Sequence, residues 1–333
     1  MRAALLVAPG KIVVENVPEP DIGPGDVRIA VGGVGLCGSD SSVFSGRWPA
    51  PSSPWIMGHE AFGTVVEVGE SVAPERVGET VVVEPNLACF TCGPCRRGLT
   101  SACENRLSVG MNRAGALAGQ LVVPSRFAWR VDGLDAATLV CVEPMAVVEA
   151  ALRRLARPLP AAALVVGAGP QGLLMCLALM RRGARVHALD VNSDRLAFAE
   201  ALGVTVGITS ERFDFVVDSV GSPAAHESAV EHCSPAATVL VLGLDERPLG
   251  ISARMLVRRQ LELRGSLTYD HPSDFERTLE LLTTRPLDID PSRIVAHRYA
   301  LEDAQRAFEN APLAPGKTWV EVGEHQIPVP TYL

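Results

Sequence analysis

Lysine is almost absent from the 333 residues: only Lys11 and Lys317 occur, and arginine supplies the rest of the 30 basic side chains. Against them stand 38 acidic residues, for a net charge of −8. An acidic chain without a basic-aromatic stripe argues against a surface for a polyphosphate backbone, so nucleic acid is not an expected partner. The lack of clustered lysines likewise excludes a polybasic membrane patch. Long apolar runs are scarce too. The stretch from Met1 to Gly10 is too short for a signal-peptide core, is soon followed by Glu15 and Glu19, and reads as a first strand. Only residues 161–180 approach the roughly 20 apolar residues a bilayer needs. Gly167-Ala168-Gly169-Pro170-Gln171-Gly172 interrupts that stretch, which therefore reads as a buried strand, a turn and a buried helix. No repeat or low-complexity tract is present. The expected location is the cytoplasm, where clustered cysteines bind metal more often than they form disulfides.

The composition that remains, 47% hydrophobic and 20% charged with 30 glycines, is that of an ordinary globular protein long enough for two domains. Up to about residue 130, short β-branched segments alternate with Gly and Pro, among them Val27–Val31, Gly63–Gly69 and Glu79–Val83. Strands at this spacing predict a barrel-like all-β domain. The grammar then changes. Apolar strands at 163–166, 185–189, 215–217 and 238–242 alternate with helical stretches at 171–182 and 193–202, which predicts βαβ units and a parallel sheet. After about 270 the pattern is mixed, with helices near 273–284 and 301–310. The simplest organisation is an α/β domain at 146–268 inserted into a discontinuous β-rich domain at 1–145 and 269–333.

Three motifs carry chemistry. Cys89, Cys92, Cys95 and Cys103 are spaced to close a tetrahedral zinc site with no open position, in a lobe at about 86–106. Such a zinc would be structural. An iron–sulfur cluster would also use four cysteines, but the usual spacing is missing. The second motif is dispersed: Cys37 in Gly35-Leu36-Cys37-Gly38-Ser39-Asp40, and His59-Glu60 after Met57-Gly58. A thiolate, an imidazole and a carboxylate together compose an open zinc site able to polarise an alcohol or carbonyl oxygen. The third is the glycine fingerprint at 167–172, placed after a strand and opening a helix, with Asp190 about 20 positions on. Helix amides there hold a pyrophosphate, and an acidic residue at 190 favours NAD over NADP. Cys141, Cys176 and Cys233 read as core thiols. Competing readings are a zinc-ribbon binding module and a zinc-free or inactive relative.

Together, Cys-Gly-Ser-Asp at 37–40, Gly-His-Glu at 58–60, the four-cysteine lobe, Val-Glu-Pro at 142–144 and the glycine-rich turn resemble the zinc-containing medium-chain dehydrogenase/reductase family. Within that family the sequence looks most like the polyol, sugar and threonine dehydrogenases. The resemblance implies a GroES-like catalytic domain and a Rossmann domain, with the active site between them. It implies Cys37, His59 and Glu143 as catalytic-zinc ligands, Glu60 as a direct or alternating ligand, Ser39 as acceptor of the substrate proton, and Asp40 as the group orienting His59. Gly167, Gly169, Pro170, Gln171, Gly172, Asp190 and Arg195 would bind the cofactor. The implied activity is hydride transfer between NAD and a secondary alcohol or ketone of a polyol, sugar or cyclitol, or a threonine-type amino alcohol. Two zinc ions per chain and a homodimer or homotetramer are also implied. Two departures stand out. Ser42 replaces a relay histidine, and Ala118-Gly119-Gln120 replaces an acidic-aromatic pair. With Phe44, Arg47, Trp48 and Arg113 expected in pocket segments, these suggest an unusual, polar substrate.

Overall fold

A computed structural model describes residues 1–155, 158, 160–284 and 290–323. The chain divides into two compact units, Met1–Glu143 with Asp270–Leu333, and Pro144–Tyr269.

In the first unit, β1 (Arg2–Ala8) and β2 (Lys11–Asn16) form an antiparallel hairpin. β3 (Asp26–Gly35) follows, then the short helix α1 (Gly38–Phe44), β4 (Glu60–Val68), β5 (Thr80–Val83), β6 (Gln120–Pro124) and β7 (Ala128–Arg130). β3 pairs antiparallel with both β4 and β6, β4 pairs with β5, and β5 pairs with β7. Valine and isoleucine at alternate positions drive this arrangement: Val27, Ile29 and Val31 point inward with Val65, Val81, Val83, Leu121 and Val123. Each such side chain contributes about 1.5–3 kcal/mol on burial. The β3–β4 register sets Gly35 opposite Glu60, so the residues just beyond those two strand ends emerge side by side.

The helix α2 (Val142–Arg153) carries the chain into the second unit. There β8 (Ala162–Val166), α3 (Pro170–Arg181), β9 (Arg185–Leu189), α4 (Ser193–Ala201), β10 (Thr205–Val206), β11 (Phe213–Asp218), α5 (Pro223–Glu231), β12 (Cys233–Val241) and β13 (Glu262–Gly265) succeed one another. The strands form a parallel sheet in the order β10-β9-β8-β11-β12-β13. Strand order reverses between β8 and β11, the switch point at whose carboxyl side open α/β sheets bind ligands. Burial of β8 on both faces explains why 161–180 reads as apolar: Ala163, Leu164 and Val165 are fully buried, as are Leu173 to Cys176 of α3. Among the described residues no helix is long and apolar enough to cross a membrane.

Back in the first unit come α6 (Ser273–Thr283), β14 (Val295–Ala300), α7 (Ala304–Asn310) and β15 (Lys317–Glu321). β15 lies antiparallel to β3 and parallel to β14, completing a seven-stranded sheet from the chain's two distant ends.

Candidate functional site

Cys37 ends the turn that leaves β3, and His59 sits one residue before β4. The β3–β4 register brings them together although 21 residues separate them in sequence. Ligand atoms of Cys37, His59 and Glu60 lie within 4.8 Å of one another. Asp40, 1% exposed on the first turn of α1, ties both segments to one point. Its Oδ2 accepts from the Cys37 amide at 3.0 Å, and its Oδ1 accepts from the Gly58 amide at 3.2 Å. The same Oδ1 lies 3.3 Å from His59 Nδ1. With Nδ1 turned to a carboxylate, Nε2 is the nitrogen left for a metal, as is usual for metal-binding histidines. Burial works against charge on both partners. The His59 ring nevertheless keeps the Asp40 carboxyl below its usual range, and Asp40 and Cys37 raise the imidazole well above its own.

Behind this group lies a residue whose role the sequence did not disclose. Lys317, in β15 and 1% exposed, forms an ion pair with Glu60 and donates to the Leu36 carbonyl at 3.1 Å. Burial would discharge its ammonium, but Glu60 and then Cys37 hold its pKa above the usual lysine value. Gly35 is required here: a side-chain carbon would collide with the Glu60 carboxylate and the Lys317 stem. The only hint in the sequence was the scarcity itself, one of two lysines set inside the apolar strand Lys317-Thr318-Trp319-Val320.

The four cysteines 89, 92, 95 and 103 form the second group, with their sulfurs mutually within 4.8 Å and none oxidised. Cys92 precedes a helical turn at Gly93–Arg96 that carries Cys95. Cys89 Sγ accepts from the Thr91 amide and hydroxyl, each at 3.5 Å, and from the Cys92 amide at 3.4 Å. Those donors lower the Cys89 pKa to about 5, while desolvation and neighbouring thiols push Cys95 up to about 12. Cys92 and Cys103 sulfurs stand 3.9 Å apart. Two corners of a zinc tetrahedron with bonds of about 2.3 Å would stand about 3.8 Å apart, so the loop fits that ion.

In the second unit, Gly169 caps α3 and Pro170 occupies its first turn, leaving the helix's first amides free at the switch point. Gly172 lies so close to the Gly167 carbonyl that a side-chain carbon would overlap it. Gln171 donates to the Pro144 carbonyl at 3.2 Å. Asp190, expected to face a ribose, accepts from the Ala168 amide at 2.7 Å and the Asn192 amide at 2.8 Å, and Arg195 lies 3.8 Å from it. The carboxylate therefore also fixes the glycine turn. Val191 and Ile208, both fully exposed, follow the carboxyl ends of neighbouring β9 and β10; neither was singled out in the sequence.

Ser39 is half-buried on α1 beside Cys37. Glu143 is buried on the first turn of α2 and is not among the three residues whose ligand atoms cluster. Ser42, at the relay position, donates to the Gly38 carbonyl at 2.9 Å. Phe44 packs on Phe308 with ring centroids 5.2 Å apart, Trp48 packs on the sheet core, Arg47 is exposed, and Arg113 donates to the Val122 carbonyl at 3.1 Å. Cys141, Cys176 and Cys233 are fully buried, and burial raises each thiol's pKa.

Comparison with known proteins agrees with this geometry. Residues 23–133 match the alcohol dehydrogenase GroES-like domain, and residues 170–284 match the zinc-binding dehydrogenase domain. D-altritol 5-dehydrogenase of Agrobacterium fabrum is 31% identical over 96% of this chain and 99% of its own. L-threonine 3-dehydrogenase of Photorhabdus laumondii is 29% identical over 88% and 91%. An alcohol dehydrogenase of Escherichia coli CFT073, solved with NADH, superposes with a TM-score of 0.87 at 25% identity, covering 96% of this chain and 99% of its own. A GroES-like domain joined to a Rossmann domain, a zinc-type ligand cluster and full-length relatives lead to one conclusion: the chain belongs to the zinc-containing medium-chain alcohol dehydrogenase/reductase family.

Proposed function

We propose that the protein is an NAD-dependent zinc dehydrogenase acting on a secondary alcohol or the matching ketone of a polyol, sugar or cyclitol, in the cytoplasm and as a homo-oligomer. The observation that carries this reading is the convergence of Cys37, His59 and Glu60 with Asp40 behind His59. Cys37 and His59 would hold the catalytic zinc, with Glu143 as the further ligand and Glu60, restrained by Lys317, as a direct or alternating one. Bound zinc supplies a Lewis acid that lowers the pKa of an alcohol. Ser39 accepts the substrate proton, and Asp40 keeps His59 in the tautomer that leaves Nε2 basic. Ser42, whose hydroxyl donates to the Gly38 carbonyl, stands at the relay position, so proton exit would run through the ribose hydroxyl and water or by another path. The four-cysteine loop would hold a structural zinc.

For the cofactor, the free amides at the α3 N-terminus receive the pyrophosphate, and exposed Val191 and Ile208 offer apolar faces to the adenine. Asp190 would repel a 2′-phosphate, which favours NAD, and Arg195, 3.8 Å from Asp190, would contact the adenine ribose. A threonine-type activity is the second reading, supported by Gly110-Met111-Asn112-Arg113 and by the threonine dehydrogenase match. NADH absorbance with NAD and a panel of polyols, cyclitols and threonine separates the two. Turnover of none of these secondary alcohols would reject both.

A further inference from the structure

The chain re-enters the first unit at Asp270, and its first residues there are bonded to the four-cysteine lobe rather than to the sheet alone. Asp270 Oδ1 accepts from the Ser101 amide at 2.9 Å, and the His271 amide donates to Thr100 Oγ1 at 2.6 Å. His271 Nδ1 lies 2.8 Å from Glu84 Oε2, which also accepts from Trp129 Nε1 at 2.7 Å. Around the imidazole stand Phe90, Phe127 and Trp129, with centroids 5.4, 4.8 and 5.9 Å away. Phe90, Thr100 and Ser101 all lie between the first and last cysteine of the lobe. Behind them the Asp270 amide donates to Asp274 Oδ2 at 2.8 Å, which starts α6, and Trp129 stacks on Phe275 at 5.6 Å.

Glu84, Asp270 and Asp274 are 0%, 5% and 2% exposed. Carboxylates are costly to bury unless hydrogen-bonded; Glu84 Oε2 accepts from Trp129 of β7 and faces His271 of the returning chain, and Asp270 Oδ1 accepts from Ser101 of the lobe. Neither side of this seam is ordered at low cost without the other. We propose that the four-cysteine lobe is the anchor of the returning chain, so that metal-held order in the lobe and order in residues 270–276 are coupled, with Glu84 and His271 as the positioning pair. Coupling of this kind is reciprocal in free energy: what order in the lobe adds to the stability of the returning segment, order in that segment adds to the lobe.

The proposal rests on the lobe binding zinc, and the experiment separates the two. Hydrogen–deuterium exchange on the whole protein, before and after chelation of zinc, should show faster exchange in peptides covering 86–106 and 269–276 together. A rise confined to 86–106 overturns the proposal. In His271→Leu, which keeps all four cysteines, zinc should leave the lobe for an excess of a colorimetric chelator about tenfold faster, the loss of one charge-assisted hydrogen bond. His271→Asn, which restores a donor, should recover most of the wild-type rate. Release from His271→Leu at the wild-type rate also overturns it. A lobe that never contains zinc on metal analysis rejects the zinc reading alone. The seam is then judged by exchange at 99–104 in His271→Leu, where no increase overturns it.

Discussion

The four-cysteine loop draws every ligand from residues 89–103, whereas Cys37, His59 and Glu60 come from two segments that meet only through the β3–β4 register. The loop supplies its own charge stabilisation, with backbone and hydroxyl donors on Cys89. In the dispersed group that work falls to buried side chains, Asp40 on His59 and Lys317 on Glu60. A group saturated with sulfur, with no ligand position left open, is suited to permanence. One with mixed ligands and a carboxylate restrained by an ammonium is suited to exchange at the metal.

The comparison can be broken most severely at Lys317. Lys317→Met leaves Glu60 as an uncompensated buried carboxylate and should cost about 3–5 kcal/mol in denaturant unfolding. Adding Glu60→Gln should restore most of that stability but not activity. Because the Lys317 pKa is raised in the folded state, its contribution is fully present below the ordinary lysine value and is lost only as pH rises through the folded one. A wild-type stability that falls through neutral pH because Lys317 loses its proton there would contradict this pairing.

A smaller effect is expected from Asp40→Asn, which keeps the shape but weakens the acceptor facing His59. Affinity for the zinc bound by Cys37 and His59 should fall about 10–100-fold in a competition titration, with the lobe's zinc unaffected. Equal weakening of both sites would erase the distinction drawn between them. The mildest change is Thr91→Val, which removes the hydroxyl donor to Cys89. The depressed Cys89 pKa keeps the thiolate available until pH falls to about 5. In the variant the pH at which the lobe releases zinc should therefore move upward, which a pH titration of released metal would measure.

How much of this could be read in advance follows from the same contrast. The lobe was legible because its ligands are contiguous, and the glycine turn because strand, turn, helix and Asp190 follow in order. Strand and helix positions were legible too, since valine alternation and helical periodicity are local signals: β8, α3, β9 and α4 lie where the pattern placed them. The open ligand group needed the pairing of Cys37 with His59, and the resemblance supplied its roles. Lys317 stayed hidden because its partners, Glu60 and the Leu36 carbonyl, lie at the far end of the chain and only the β15–β3 pairing joins them. The double duty of Asp190 was equally invisible, because backbone amides leave no mark in the sequence.

On this reading the first unit holds two ligand groups with different work, the cysteine loop for structure and the Cys37–His59 group for chemistry. Metal content and NAD-linked turnover measured side by side in wild type, Cys37→Ser and Cys95→Ser test it most directly. The account predicts about two zinc ions per chain in wild type and about one in each variant. Turnover should fall on the order of 10³-fold in Cys37→Ser with folding intact, and should persist in the folded fraction of Cys95→Ser. Unchanged zinc content and turnover in Cys37→Ser would contradict it.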